Sequence, residues 1–101
     1  MTTDAKDQSS GRSGSERILV VDDDAPFREI MREVLEHMGH SVDDAASALQ
    51  AVDMARKNEY PIIITDIRMP EMDGLTLVRK IKEEFPDTDV ICITGYNDDY
   101  S

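Results

Sequence analysis

The sequence predicts an α/β fold on a parallel sheet, and three observations carry that expectation. Ile18–Val21, Ile62–Thr65 and Val90–Thr94 are short, uninterrupted apolar or β-branched runs, as expected of strands buried on both faces. The stretches between them carry apolar residues at helical spacing. Two of the runs stop at acid: the first enters Asp22-Asp23-Asp24, the second ends at Asp66.

Residues 1–17 come first. They hold Ser9-Ser10-Gly11-Arg12-Ser13-Gly14-Ser15 and no aliphatic residue beyond Met1 and Ala5, so they are expected to be a disordered tail. Ile18–Val21 is the first strand. Asp24 is suited to cap the next helix, with Pro26 tolerated in its first turn. Phe27, Ile30, Met31, Val34, Leu35 and Met38 then recur at helical spacing, and Gly39 is placed as the stop. His40 to Ala45 reads as a weaker, mostly polar strand anchored by Val42, and both His37 and His40 are expected to face solvent. Ser47-x-x-Gln50 is a capping-box signature for a short helix running to about Asn58. Tyr60-Pro61 breaks that helix ahead of Ile62–Thr65. Leu75, Val78, Ile81 and Phe85 mark a third helix, started by Asp73 and ended before Pro86. Val90–Thr94 is the last strand. Strand and helix alternating in this way imply right-handed crossovers and a sheet covered by helices.

The chain has 101 residues, enough for one small domain. Its apolar share of 40% and charged share of 33% suit a water-soluble fold. No apolar run nears the ~20 residues of a membrane span, and no signal peptide is apparent. The single cysteine, Cys92, reads as a small buried hydrophobe, which fits a reducing cytoplasm. The net charge is −11, and residues 1–17 sum to zero, so the whole excess lies in residues 18–101. Such a surface repels phosphate backbones, which argues against nucleic-acid binding by this domain. For most of the acids, solubility is explanation enough.

Parallel sheets of this kind place sites beyond the carboxyl ends of their strands. Asp22, Asp23, Asp66 and Thr94 all fall at that edge. Three carboxylates within reach of one another raise each other's pKa and titrate together. A hard divalent cation relieves the repulsion, and Mg²⁺ accepts one or two carboxylates, a carbonyl and waters while leaving room for phosphate oxygens. A carboxylate beside it can attack a phosphoryl group, whose charge the cation offsets. The Thr94 hydroxyl could donate to a phosphate oxygen. Singly these features are weak, since an acid after a strand is more often a helix cap.

Together, Ile18-Leu19-Val20-Val21-Asp22-Asp23-Asp24, Ile64-Thr65-Asp66-Ile67-Arg68-Met69-Pro70-Glu71-Met72-Asp73-Gly74 and Ile91-Cys92-Ile93-Thr94-Gly95-Tyr96 resemble the receiver domain of bacterial two-component response regulators. The resemblance implies a flavodoxin-like, doubly wound sheet and a signalling module rather than an enzyme acting on a metabolite. It implies Asp66 as phosphoacceptor and Asp23 as a direct Mg²⁺ ligand. Asp22 would act partly through water, the Arg68 carbonyl would complete the protein ligands, and Thr94 would be the switch hydroxyl. It also implies a sensor histidine kinase as phosphoryl donor, docking near the first helix, and a cytoplasmic location.

The sequence departs from that family at its C-terminal side. No lysine follows Lys82, so the family's phosphate-contacting lysine after a fifth strand has no counterpart within residues 1–101. A truncated receiver of about four strands and three helices is therefore expected, lacking the last strand and last two helices. Val90–Thr94 would then be an apolar edge inviting a second copy to pair. Two other functions compete. A haloacid-dehalogenase-like phosphatase would use the Asp22-x-Asp24 spacing with Asp22 as nucleophile. A phosphorylation-independent interaction module would keep the acids chemically silent.

Overall fold

The computed structural model describes residues 16–68 and 74–93. In chain order these form β1 (Arg17–Val21), α1 (Ala25–His37), β2 (Ser41–Ala45), α2 (Ala48–Lys57), β3 (Ile62–Asp66), α3 (Gly74–Glu84) and β4 (Asp89–Ile93). The strands form one parallel sheet in the order β2-β1-β3-β4. This is the α/β fold expected, with four strands and three helices among the described residues.

Alternation along β1 divides the core between the two faces of the sheet. Leu19 and Val21 meet Ala48, Ala51, Val52 and Ala55 of α2 and Leu77 and Ile81 of α3. Ile18 and Val20 face the other way with Val42 and Ile64, covered by Met31 and Leu35 of α1. Fully burying a Leu or Ile side chain is worth roughly 1.5–3 kcal/mol. The central strands, buried on both faces, therefore carry the largest share of the fold's stability.

Local chemistry sets the helix ends. Asp24 is the N-cap of α1, accepting from the Phe27 N–H, with proline in the first turn. Gly39 takes φ of 100° past the C-terminus, and the N–H groups of Gly39 and His40 close back onto the carbonyls of Glu36 and Leu35. Ser47 Oγ accepts from Gln50 N–H as expected, but the reciprocal bond differs. Gln50 Oε1 accepts from Ala46, one residue before the cap.

The two edges of the sheet are chemically opposite. β2 is polar, and its acids are paired: Asp43 accepts from Arg17 and from the Tyr60 hydroxyl, while Asp44 faces Arg28 and Arg32. Charges of this kind discourage further strand pairing. On β4 the one charge, Asp89, stands exposed at the first position, and the rest of the strand is apolar, with Ile91 50% exposed.

Three expectations are corrected, for Arg17, His40 and Cys92. Arg17 belongs to β1 rather than to the tail, because its guanidinium pairs with Asp43 and lies 5.4 Å from the Tyr60 ring centroid. Residues 1–15 lie outside the described residues. His40 is half-buried, with Nδ1 accepting from the Glu16 N–H, although His37 is exposed as expected. Cys92 is half-buried rather than buried, because β4 is an edge. The apolar stripe of α1 is only partly used: Ile30, Val34 and Met38 remain exposed, since Met31 and Leu35 already occupy the sheet side of the helix. Asp73, the expected start of α3, lies outside the described residues.

Candidate functional site

The acid cluster forms where β1 and β3, neighbours in the sheet, end side by side. Asp22, Asp23 and Asp66 each offer a carboxylate oxygen, and these three atoms lie within 4.8 Å of one another. Asp22, at 6% exposure, is buried, whereas Asp23 is exposed and Asp66 is intermediate. The cluster thus opens to solvent on the Asp23 side.

Asp22 is held from three directions. Its N–H donates to Ala45 O at 3.1 Å, its Oδ1 accepts from Asp24 N–H at 2.9 Å, and its own carbonyl accepts from Arg28 Nη1 at 2.8 Å. Burial pushes its carboxyl up to about 6 from an ordinary 3.8. The bond from Asp24 opposes this, while the negative charges of Asp66 and Asp23 add to it. The same charge on Asp66, after burial, raises the Cys92 thiol on β4.

Asp66 differs in one respect that bears on function. Its Oδ1 is buried and accepts no hydrogen bond among the described residues. An acceptor left unsatisfied away from water costs about 1–3 kcal/mol, so the position calls for a cation or a donor. Three carboxylates that each bring one hard oxygen to the cluster fit Mg²⁺ or a similar divalent ion.

The backbone around Asp66 is braced by α3. Gly74 N–H donates to Ile67 O at 2.7 Å, and Ile67 N–H donates to Ile93 O of β4 at 3.3 Å. Gly74 is itself buried, and an added Cβ would lie 2.6 Å from Ile67 Cα and nearer still to the Asp66 carbonyl oxygen. Its use here is close approach of a helix to the strand end.

The structure therefore brings Asp22, Asp23 and Asp66 together as the sequence suggests. Arg68 follows two residues after Asp66, with an exposed side chain. Thr94 lies outside the described residues. Sequence reasoning missed Arg28 and Gly74. In the sequence Gly74 stands only as the last residue of the Ile64–Gly74 motif, and nothing in the local pattern separates Arg28 from any other helix-surface arginine.

The chain matches the family model described as the response regulator receiver domain over residues 18–101. It is 41% identical over 86 residues to the C4-dicarboxylate transport transcriptional regulatory protein DctD of Rhizobium meliloti, covering 85% of this chain but 19% of DctD. It is 34% identical over 95 residues to the sensor kinase CckA of Brucella abortus, covering 92% of this chain and 10% of CckA. Among solved structures, the response regulator protein TrrA of Thermotoga maritima, in complex with Mg²⁺-BeF, aligns with a TM-score of 0.78 at 34% identity. That alignment covers 81% of this chain and 71% of TrrA. The chain thus spans a fifth or less of the length of these two curated relatives.

Proposed function

The chain belongs to the receiver-domain family of two-component response regulators, and from that premise we propose that it is a phosphoacceptor module whose Asp66 takes a phosphoryl group. The observation that carries this reading is the orphaned, buried Asp66 oxygen beside two further carboxylates. Asp22, Asp23 and Asp66, with the Arg68 carbonyl, would hold Mg²⁺. When bound, the ion offsets negative charge on the transferring group and lets an anionic donor approach an acidic site.

The chain's own residues do the rest. The Asp66 carboxylate attacks phosphorus, forming an O–P bond as the bond to the leaving group breaks. The leaving group is the imidazole nitrogen of a sensor kinase histidine or the carboxylate of an acyl phosphate. Asp22 and Asp23 are presented from a turn held between β1, α1 and β2, so they need little reorganisation to meet a cation. Thr94 is assigned as the switch hydroxyl facing the phosphoryl group. The module acts in the cytoplasm and does not turn over an external metabolite. Among the described residues no helix is long and apolar enough to cross a membrane, and the acidic surface disfavours nucleic acid.

The phosphatase reading is weaker on two counts. Asp22 Oδ1 is already engaged by Asp24 N–H, and the Asp24 side chain is spent capping α1. Pairing of a second copy along β4 is favoured by its exposed apolar edge, and light scattering that returns a monomer at every concentration would remove it. The silent-module reading is tested with beryllofluoride, a phosphoryl mimic. Adding it with Mg²⁺ is expected to shift the amide resonances of residues 22–24, 66–68 and 94, and Asp66→Asn is expected to abolish the shifts. An unperturbed spectrum of the folded wild type favours the silent module.

A further inference from the structure

Arg28 has a place in the structure that the acceptor chemistry does not use. It lies in the first turns of α1 with its side chain only 18% exposed. Nη1 donates to the main-chain carbonyl of Asp22 at 2.8 Å, and Nε lies 3.4 Å from Asp44 Oδ2 in an ion pair. The residue after Asp44, Ala45, accepts from the N–H of Asp22. The contacts close a ring through the end of β1, the start of α1 and the end of β2.

The ladders that β1 forms with β2 and β3 both end at Val21. The Asp22 carbonyl therefore emerges beyond the sheet, and Arg28 supplies its donor. We propose that Arg28 is a positioning residue for the divalent-cation site, fixing the turn from which Asp22 and Asp23 present their carboxylates toward Asp66. This rests on reading the acid cluster as a cation site.

Charge alone argues the reverse. A guanidinium near a divalent ion repels it, so by Coulomb's law its removal should tighten binding. Positioning and charge thus have opposite signs. The contacts favour positioning, because Arg28 bonds to a main-chain oxygen and faces Asp44, a carboxylate outside the cluster that offsets its charge. Arg32, one turn along, provides the comparison. It also faces Asp44, but its donor reaches the Val42 carbonyl, away from the site.

The test is calorimetric titration with MgCl₂ at pH 8 of the wild type, Arg28→Met, Arg28→Lys and Arg32→Met, with thermal unfolding of each. Arg28→Met is expected to weaken Mg²⁺ binding about tenfold, as loss of a supporting outer contact does, although it removes a repelling charge. Arg28→Lys keeps the charge but not the planar fork, and its Kd should fall between the two. Arg32→Met removes the same charge from the same helix and should bind Mg²⁺ as tightly as the wild type or more tightly, even if its Tm falls as far. Equal or tighter binding by Arg28→Met overturns the proposal, as does equal weakening by Arg32→Met. If Arg28→Met does not fold, Arg28→Lys decides: weaker binding at constant charge supports positioning, and an unchanged Kd overturns it. A folded wild type that takes up no Mg²⁺ overturns the cation reading itself, and positioning with it. Wild-type binding with unaltered Arg28 variants removes positioning alone.

Discussion

Gly74→Ala is expected to unfold at a markedly lower urea concentration than the wild type, with a loss of about 2–3 kcal/mol, the upper part of the range for overpacked sites. The cause is the close approach of α3 to β3. The new methyl group would lie 2.6 Å from Ile67 Cα and closer to the carbonyl of Asp66. Both obstacles are main chain, so no side-chain rotation relieves them. Either α3 retreats, losing the Gly74–Ile67 hydrogen bond of 2.7 Å, or the strand end carrying the acceptor shifts. Marginal domains have little reserve for such a loss. The slope of the urea transition should stay the same, since the surface exposed on unfolding hardly changes. Wild-type stability in Gly74→Ala would mean that α3 does not start against the acceptor strand.

The second large effect concerns Asp22 and reverses sign with metal. Its folded-state pKa of about 6 lies above the ordinary 3.8. Above pH 6 the carboxylate is ionised in both folded and unfolded chains, and the folded chain bears the cost of holding it buried beside two acids. As pH falls from about 6 toward 3.8, the folded chain takes up the proton first, so this group's contribution to stability rises. Below 3.8 both forms are protonated and the gain is complete. In metal-free protein at pH 7.5, Asp22→Asn is therefore expected to be more stable than the wild type by about 1–2 kcal/mol, the full shift being reduced for partial solvation. The difference should vanish near pH 4. Asn keeps the Oδ1 that accepts from Asp24, so the turn survives. Added Mg²⁺ should then stabilise the wild type by mass action and leave the variant nearly unchanged. Chemical denaturation at the two pH values, with and without MgCl₂, reads all four numbers. A less stable metal-free variant at pH 7.5 would show that ionised Asp22 is not a strained group.

How much could be read from the sequence depended on how local each signal was. β1 and β3 were plain because strands buried on both faces need unbroken apolar runs, and both end in acid where the site forms. Asp24, Gly39 and Ser47 act within a turn of themselves, and each does what its residue type suggests. Tyr60 was read with Pro61 only as a helix break. It is in fact 3% exposed, and its hydroxyl donates to Asp43, seventeen residues earlier. That pairing across β2 has no periodic signature. Arg28 was hidden for the same reason, because its partners are a carbonyl at the end of one strand and a carboxylate on another. The exposure of Ile30, Val34 and Met38 shows the converse limit: apolar spacing identifies a face but not what covers it. Thr94 remains known from the motif alone.

The central claim is that Asp66, not Asp22, accepts the phosphoryl group. Incubating the chain with acetyl phosphate and MgCl₂, reducing with borohydride and sequencing the peptides by mass spectrometry tests it directly, because an aspartyl phosphate is converted to homoserine at the acceptor position. The expected result is homoserine at position 66, dependent on Mg²⁺ and absent from Asp66→Asn. Homoserine at position 22, or none in a chain shown to be folded, would contradict it.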